Sequence, residues 1–237
     1  MAVHLIGGGW DEGARPELYG PFLDEAGPDP AVACLVIDEG DGAEQYERWA
    51  GALRTSGRPC RPFPVLVPIG GELDPAALDA ADAVLVCGGL TPAYQQALVR
   101  PLAAHLTGRP LPYAGFSAGA AIAARRAVVG GWLTGGTPLC PEETGEDLEE
   151  WEVRDGLALV DFAVEIHTAQ WGTLPRLIEA VATGAVERGV ALDENTALTV
   201  DGPAPLVRGL GRAHLVLPTG NGGATVHAYR SGERLPL

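Results

Sequence analysis

The chain of 237 residues is short of basic residues relative to acidic ones. It holds 16 Lys and Arg against 31 Asp and Glu, which gives a formal net charge of −15. Nucleic acids and anionic membrane surfaces are bound by basic patches, so this balance argues against both as partners. We interpret the acidity as an aid to solubility rather than as a sign of a specific basic partner.

Cysteine and long apolar runs are also scarce. The four cysteines (Cys34, Cys60, Cys87 and Cys140) form no C-x-x-C pair, so neither a disulfide framework nor a zinc site is indicated. No run of about 18 apolar residues is present, which argues against a membrane-spanning helix. The first residues lack the basic and apolar regions of a signal peptide. We therefore expect a cytoplasmic protein.

Nothing in the sequence marks a boundary between domains. There is no Pro/Ser-rich linker, no long block of charge, no internal repeat and no low-complexity segment. The hydrophobic residues make up 46% of the chain, which is enough for a substantial core. We expect a single α/β domain over residues 1–237.

Apolar runs alternate with helical patterns in the first half of the chain. Strands are predicted at residues 3–6, 31–37, 63–69, 83–87 and 111–114, and helices at 44–54, 75–81 and 92–106. Strands that are apolar on both faces and alternate with helices are typical of a parallel sheet that is covered on both sides. The pattern predicts a three-layer α/β sandwich with a mainly parallel sheet.

The second half has a different pattern. Strand-like runs at 128–132 and 153–164 flank an acidic, glycine-containing loop at 137–151, and a helix is predicted at 172–183. Short strands separated by turns follow at 191–192, 197–200, 206–210, 214–217 and 225–229. These segments predict extra antiparallel strands at the C-terminal end of the fold.

The most informative motif is a serine between two glycines at G-x-S-x-G spacing. Gly115, Ser117 and Gly119 lie between an apolar run and an alanine-rich one. A strand that turns sharply into a helix exposes such a serine at the sheet edge, and the free N–H groups of the helix favour nearby negative charge. The motif therefore indicates a serine nucleophile with a place for an oxyanion.

A serine nucleophile needs a base, and His167 has the best position. It follows a strand-like run, and the carboxyl ends of strands form the edge at which α/β proteins bind ligands. We interpret the other four histidines as structural: His4, His105, His214 and His227. For the oxyanion, the backbone N–H groups of Gly89, at the end of a buried strand, and of Ala118 are the candidates.

These blocks resemble the family of peptidase E (aspartyl dipeptidase) and cyanophycinase. The resemblance covers nearly the whole chain in the same order, and its blocks are residues 5–9, 88–89, 115–120, 165–170, 176–177 and 191–197. It implies a class I glutamine amidotransferase-like fold with serine in place of that class's cysteine. It also implies Ser117 as nucleophile, His167 as general base, a small peptide as substrate, no metal or organic cofactor, and a monomer or homodimer.

The chain departs from this family at the third catalytic residue. The family has an acid between the serine and the histidine, fairly soon after the serine helix, whereas residues 128–136 contain none. The next acids crowd between 142 and 152. Counting back from the histidine predicts Glu143 as the orienting acid, with Glu142 as the second choice.

The chain also departs at the residues expected to recognise substrate. The arginines that follow the histidine in cyanophycinase-like sequences are replaced by Trp171 and Thr173, which leaves only Arg176. A substrate that carries aspartate needs a cationic partner, so we expect Arg176 to bind it, with Gln170 and Thr91 as hydrogen-bonding neighbours. Two alternatives stay open. Arg176 is a surface residue of its helix, or the substrate instead packs on Trp171.

Three functions are compatible with these observations. The first is a serine peptidase of short peptides, a dipeptidase or exopeptidase with a preference for N-terminal Asp. The alternative is a non-catalytic or altered homologue that binds a small amino acid or peptide, which the missing acid and arginines favour. The third is a glutaminase-type amide hydrolase, which the serine in place of cysteine disfavours. Cleavage of cyanophycin itself is not expected.

Overall fold

The apolar segments of the chain form the strands of two principal sheets. A computed structural model describes residues 2–237. Its α-helices are α1 (Arg15–Ala26), α2 (Gly42–Arg54), α3 (Thr91–Gly108), α4 (Ala118–Ile122) and α5 (Leu174–Ala182). Its strands are β1 (Val3–Ile6), β2 (Ala31–Asp38), β3 (Arg61–Pro68), β4 (Ala83–Val86), β5 (Tyr113–Phe116), β6 (Arg126–Gly130), β7 (Leu133–Thr134), β8 (Thr137–Pro138), β9 (Glu152–Asp155), β10 (Ala163–Glu165), β11 (Gly189–Leu192), β12 (Thr196–Val200), β13 (Leu206–Gly209), β14 (Arg212–Pro218) and β15 (Ala224–Arg230).

The first sheet has seven strands in the order β13-β12-β1-β5-β4-β2-β3. Five strands of this sheet are parallel: β1, β5, β4, β2 and β3. β12 pairs with β1 in antiparallel orientation, and β13 pairs with β12 in the same way. The prolines of β3 are accommodated because this strand lies at the sheet edge, where an N–H is not needed for pairing. The serine strand β5 therefore lies in the interior of the sheet.

Helices cover both faces of this sheet. The buried face of α1, including Tyr19 and Phe22, and that of α2, including Trp49 and Leu53, pack on one face. Residues of α3 and α4 pack on the other face, together with apolar side chains of the second sheet. The predicted three-layer sandwich with a mainly parallel sheet is confirmed.

The second sheet has four strands in the order β10-β11-β14-β15. β10 and β11 are parallel, and β14 and β15 pair with antiparallel neighbours. One face joins the core of the first sheet, and α5 packs on the opposite face through residues such as Leu177 and Val181. The predicted antiparallel C-terminal strands are thus present, and they are divided between the two sheets.

Local predictions were wrong where proline and loops interrupt the pattern. α1 was not predicted, because Pro16, Gly20 and Pro21 obscure its helical periodicity, yet it buries a continuous apolar face. The predicted strand at 153–164 is two strands, β9 and β10, separated by a loop. The predicted helix at 75–81 is a single 3₁₀ turn, Pro75–Leu78.

Membrane insertion through a helix finds no support in the described chain. None of the helices within residues 2–237 has the length and apolar character needed to cross a bilayer.

Candidate active site

Ser117 occupies a strained turn between β5 and α4. Its backbone has φ 52° and ψ −113°, which is uncommon for a residue with a side chain. The flanking glycines permit this turn. A Cβ at Gly115 would lie 2.3 Å from the carbonyl oxygen of Gly119, and a Cβ at Gly119 would lie 2.2 Å from that of Val86. The serine is therefore held at the carboxyl end of an interior parallel strand.

His167 lies directly beside the serine hydroxyl. Its Nε2 is 2.8 Å from Ser117 Oγ, although the two residues are 50 positions apart. The N–H of His167, just after β10, donates to the carbonyl of Gly7 at 2.9 Å and so ties the second sheet to the loop after β1. A Cβ at Gly8 would lie 2.1 Å from Cε1 of the imidazole, so the ring requires glycine at this position.

The second imidazole nitrogen is held by Glu194. The carboxylate Oε1 lies 2.8 Å from His167 Nδ1. Glu194 precedes β12, and because β12 is antiparallel to β1, its first residues lie beside the carboxyl end of β1. The N–H of Asn195 donates to the carbonyl of Gly8 at 2.7 Å, which fastens this turn to the glycine loop. Ser117, His167 and Glu194 form one continuous chain of hydrogen bonds.

The structure corrects the prediction of Glu143 as the orienting acid. Glu143 lies in the 3₁₀ turn Glu142–Thr144 on the wall of the cleft and forms no hydrogen bond or ion pair with His167. Glu194 lies outside the segment between Ser117 and His167, in which the resemblance predicts the acid. It lies within the block 191–197 that resembles the family, so the signal in the sequence is an acid directly before a strand in that block.

Burial favours the neutral form of the His167 imidazole. Burial lowers its pKa below the usual histidine value and outweighs the opposing effect of the Glu194 carboxylate. Because a carboxylate at Nδ1 accepts the N–H there, the lone pair of Nε2 faces the serine hydroxyl. Trp171 stacks on the ring at 3.8 Å between centroids and 7° between planes, which shields one face from water.

Two backbone N–H groups are available beside the serine. A Cβ at Gly88 would lie 3.0 Å from Cβ of Ser117, and the next residue, Gly89, lines the same cleft. Ala118 begins α4 directly after the serine. Within residues 2–237, the N–H groups of Gly89 and Ala118 donate to no backbone acceptor. The oxyanion role of these two N–H groups stays a prediction.

A cleft of about 740 Å³ opens at Ser117 and His167, a volume suited to a small ligand. Its walls include Trp10, Trp132 and Trp171. Across the described residues 2–237, no cluster of three or more His, Cys, Asp or Glu side chains is arranged to hold a metal ion.

Thr91, a predicted substrate-binding residue, is engaged by the protein itself. It is buried at the start of α3, and its N–H and hydroxyl donate to the two carboxylate oxygens of Glu146, at 2.8 and 3.1 Å. Burial raises the pKa of Glu146 to about 7, although the Thr91 hydrogen bonds and the charge of Arg176 oppose this shift. The prediction of a direct substrate contact at Thr91 is therefore corrected.

Arg176 is also unavailable to substrate. It is 2% exposed, and its guanidinium forms a two-point ion pair with Glu165 at 2.8 and 2.9 Å. Its Nη1 donates to the carbonyls of Gly131 and Thr144 at 2.9 Å each. α5 turns this side chain toward the protein interior, so Arg176 tethers the loop that carries Glu146 and does not bind an aspartate side chain.

Gln170 supports the catalytic turn from outside the cleft. Its side-chain oxygen accepts the N–H of Glu194 at 2.9 Å, and the residue does not line the cleft. The predicted substrate contact is thus corrected to a contact that holds the turn of the orienting acid.

Comparisons with known proteins identify the family and a similar fold. The model of a family described as peptidase family S51 matches residues 71–205. A search of curated proteins finds no match. Among solved structures, the chain is similar to one described as a "Putative Peptidase E Protein from Listeria monocytogenes EGD-e". The similarity has a TM-score of 0.53 at 16% sequence identity and covers 89% of this chain and 98% of that chain.

Proposed function

This chain belongs to peptidase family S51 and is a serine hydrolase of the peptidase E type, and we propose that it cleaves short peptides through an acyl-enzyme on Ser117. In this proposal His167 is the general base and Glu194 the orienting acid. The observation that supports it most directly is the chain of two 2.8 Å contacts that links the three side chains.

The geometry suits the first half of the reaction. A serine hydroxyl is a weak nucleophile until a base takes its proton, and the unprotonated Nε2 of His167 faces Oγ. As Oγ attacks the peptide carbonyl, the proton passes to Nε2 and negative charge develops on the carbonyl oxygen. In this proposal the N–H groups of Gly89 and Ala118, which donate to no backbone acceptor within residues 2–237, receive that charge.

The same groups serve the second half. The imidazolium of His167, stabilised by the Glu194 carboxylate, gives its proton to the amine that leaves. Water then enters, loses a proton to Nε2 and attacks the acyl-enzyme. The imidazolium returns that proton to Oγ as the bond between Oγ and the acyl carbon breaks, which releases the acid and restores Ser117 and His167. The three side chains that carry the proton transfers, Ser117, His167 and Glu194, already lie in contact.

The alternative of a non-catalytic homologue loses its main support. The apparent absence of an orienting acid motivated it, and Glu194 supplies that acid from a different part of the chain. The proposed preference for an N-terminal aspartate is weakened in turn, since Arg176 is paired with Glu165 in the interior. Exopeptidase action on a short peptide stays within the proposal.

A fluorophosphonate probe tests the nucleophile without knowledge of the substrate. We expect the wild-type protein to be labelled at Ser117, located by mass spectrometry, and the Ser117→Ala variant to remain unlabelled. A dipeptide panel that varies the first residue then measures hydrolysis by both proteins. Absence of labelling at any pH from about 6 to 9, or hydrolysis that survives in Ser117→Ala, would contradict the proposal.

A further inference from the structure

The cleft at Ser117 is lined by acidic side chains from two segments. The segment from 142 to 149 contributes five carboxylates: Glu142, Glu143, Glu146, Asp147 and Glu149. A second segment, the loop between β2 and α2, contributes Glu39 and Asp41. The peptide bond to be cleaved therefore has to enter a region of strongly negative potential.

Positive charge in the cleft is limited to one side chain. Of the described residues 2–237, Arg48 alone brings a guanidinium or ammonium group to the lining. Its Cζ lies 4.4 Å from the centre of the Trp10 ring, over the ring face. Six acidic residues line the cleft besides Glu146, whose pKa burial raises to about 7, so the lining has a large negative excess over this one cation.

Glu146 fills a position at which a substrate carboxylate would otherwise be attracted. The amino end of a helix offers free N–H groups to anions, and α3 begins two residues after Gly89. That end is capped by the carboxylate of Glu146, which accepts both the N–H and the hydroxyl of Thr91. An acidic substrate side chain would have to displace it.

The position of Glu146 is fixed by its backbone and by the residues around it. A Cβ at Gly130 would lie 2.7 Å from Cβ of Glu146. The strand β6 therefore leaves space for the Glu146 side chain only because residue 130 is glycine. The backbone of Glu146 has φ 57°. Two residues earlier, the carbonyl of Thr144 accepts a hydrogen bond from Arg176. These contacts fix a carboxylate beside the loop that carries Gly89.

We infer that the active-site cleft selects peptides that carry positive charge next to the scissile bond, a lysine or arginine side chain together with the free amino terminus, and that Glu146 excludes an acidic residue from the same place. This inference rests on the proposed peptidase function. The excess of carboxylates stabilises a cationic substrate on approach and in the cleft, whereas an aspartate would meet repulsion from both segments.

The experiment compares dipeptides that differ only in the first residue. Lys, Arg, norleucine and Asp are each followed by the same second residue, and kcat/KM is measured at low and at 0.5 M salt. We expect Lys and Arg to exceed norleucine by about tenfold at low salt and Asp to fall below it by a similar factor. High salt should reduce both differences, because it screens exposed charges.

Two triple variants with the same change of charge identify the source of the preference. Glu142→Gln, Glu143→Gln and Asp147→Asn neutralise cleft carboxylates that form no side-chain hydrogen bond in the structure. Glu72→Gln, Asp79→Asn and Glu187→Gln neutralise exposed acids outside the cleft. The first set should lower the Lys-to-norleucine ratio about tenfold, and the second should leave it unchanged.

A single variant tests the role of Glu146. Glu146→Gln keeps an oxygen that can accept the Thr91 N–H but removes the charge that the carboxylate carries above its pKa of about 7. At about pH 8.5 the Asp peptide should therefore gain at least about tenfold relative to norleucine. The rate of Ser117 labelling by an uncharged alkyl fluorophosphonate shows that each variant is folded. If Glu146→Gln fails to label, Glu146→Met takes its place, and the same gain for the Asp peptide is expected.

The outcomes separate this inference from the function on which it rests. If the uncharged probe does not label Ser117 in the wild-type protein, the proposed function fails. If the probe labels Ser117 but the Asp peptide is cleaved as well as or better than the Lys peptide, the inference is overturned and the peptidase function stands. Equal effects of the two triple variants would also overturn it.

Discussion

Ser117, His167 and Glu194 come from three segments that are separated by 50 and 27 residues. Each side chain stands at the end or the beginning of a strand, where a change of direction frees it from sheet pairing. The hydrogen bond at Nδ1 sets the tautomer of the imidazole and so decides that Nε2 can accept a proton. Loss of the orienting carboxylate should therefore affect rate more than folding.

The identity of the orienting acid can be tested by paired substitutions. Glu194→Gln keeps the size of the side chain but removes the acceptor charge, and we expect the rate of Ser117 labelling to fall by a factor on the order of 10³–10⁴. Glu143→Gln is the matched variant from the cleft wall and should stay within about threefold of the wild type in the same assay. A large loss in Glu143→Gln with a small one in Glu194→Gln would reverse the assignment.

The pH dependence of labelling should report His167. Burial lowers its pKa, while the neighbouring carboxylates of Glu194 and Glu165 act in the opposite direction. Only the neutral imidazole accepts the serine proton. The labelling of Ser117 should therefore persist at pH values above the lowered pKa and be lost below it. We expect the acid midpoint of the labelling rate to lie below about 6.5, the usual histidine value. A midpoint at or above 7 would contradict this ordering.

At the level of elements, the site depends on the close approach of the loop after β1 to the segment that carries His167. The loop after β1 passes under the imidazole, with Gly8 at φ 111°, and no side chain fits between them. The turn before β12 is fastened to the same loop. The glycine loop thus positions both the base and its acid.

Substitution of Gly8 should disable the site with a moderate loss of stability. Gly8→Ala introduces a Cβ into the His167 ring, so we expect Ser117 labelling to fall at least a hundredfold. Gly27→Ala is the control, because Gly27 also has a positive φ, 99°, but has open space around it. Gly27→Ala should lose about 1–3 kcal/mol in urea unfolding through backbone strain alone. Gly8→Ala should lose more because it adds the clash with His167, and only Gly8→Ala should lose labelling. Equal labelling by the two variants would show that the loop can move aside.

The ion pair under α5 should contribute stability and not substrate affinity. Arg176→Leu leaves Glu165 charged and unpaired in the interior, and we expect the free energy of unfolding to fall by about 3–5 kcal/mol. Arg188→Leu breaks the more exposed pair with Asp161 and should cost about 1 kcal/mol or less. Unchanged stability in Arg176→Leu, with a raised KM for acidic peptides, would return Arg176 to substrate binding.

At the scale of the whole molecule, the two sheets share one apolar core. One cluster of buried residues contains side chains from the parallel strands, such as Leu35 and Val84, and from the second sheet, such as Val164 and Leu215. Ser117 follows a strand of the first sheet, and His167 follows a strand of the second. The contact between Ser117 Oγ and His167 Nε2 therefore lies where the sheets meet.

A shared core predicts cooperative unfolding. On heating, circular dichroism and Ser117 labelling should be lost in a single transition with the same midpoint, because neither sheet can keep its apolar face buried without the other. Two resolved transitions, with labelling lost in the first, would show that the sheets are separate folding units.

The parallel core and the reactive serine could be predicted from the sequence because their signals are local. Apolar runs bounded by glycine define strands, and the spacing of Gly115, Ser117 and Gly119 defines the turn. His167 could be selected because it follows an apolar run at the sheet edge. Each of these patterns depends on the backbone within a few residues.

Only the tertiary structure decided which charged groups meet. Glu194 reaches His167 because an antiparallel strand begins where a parallel one ends, and no spacing between the two residues encodes that meeting. In the same way, Arg176 and Thr91 each meet a carboxylate of the protein itself, Glu165 and Glu146. Pairing between distant charges depends on strand order and burial, and both are properties of the whole folded chain.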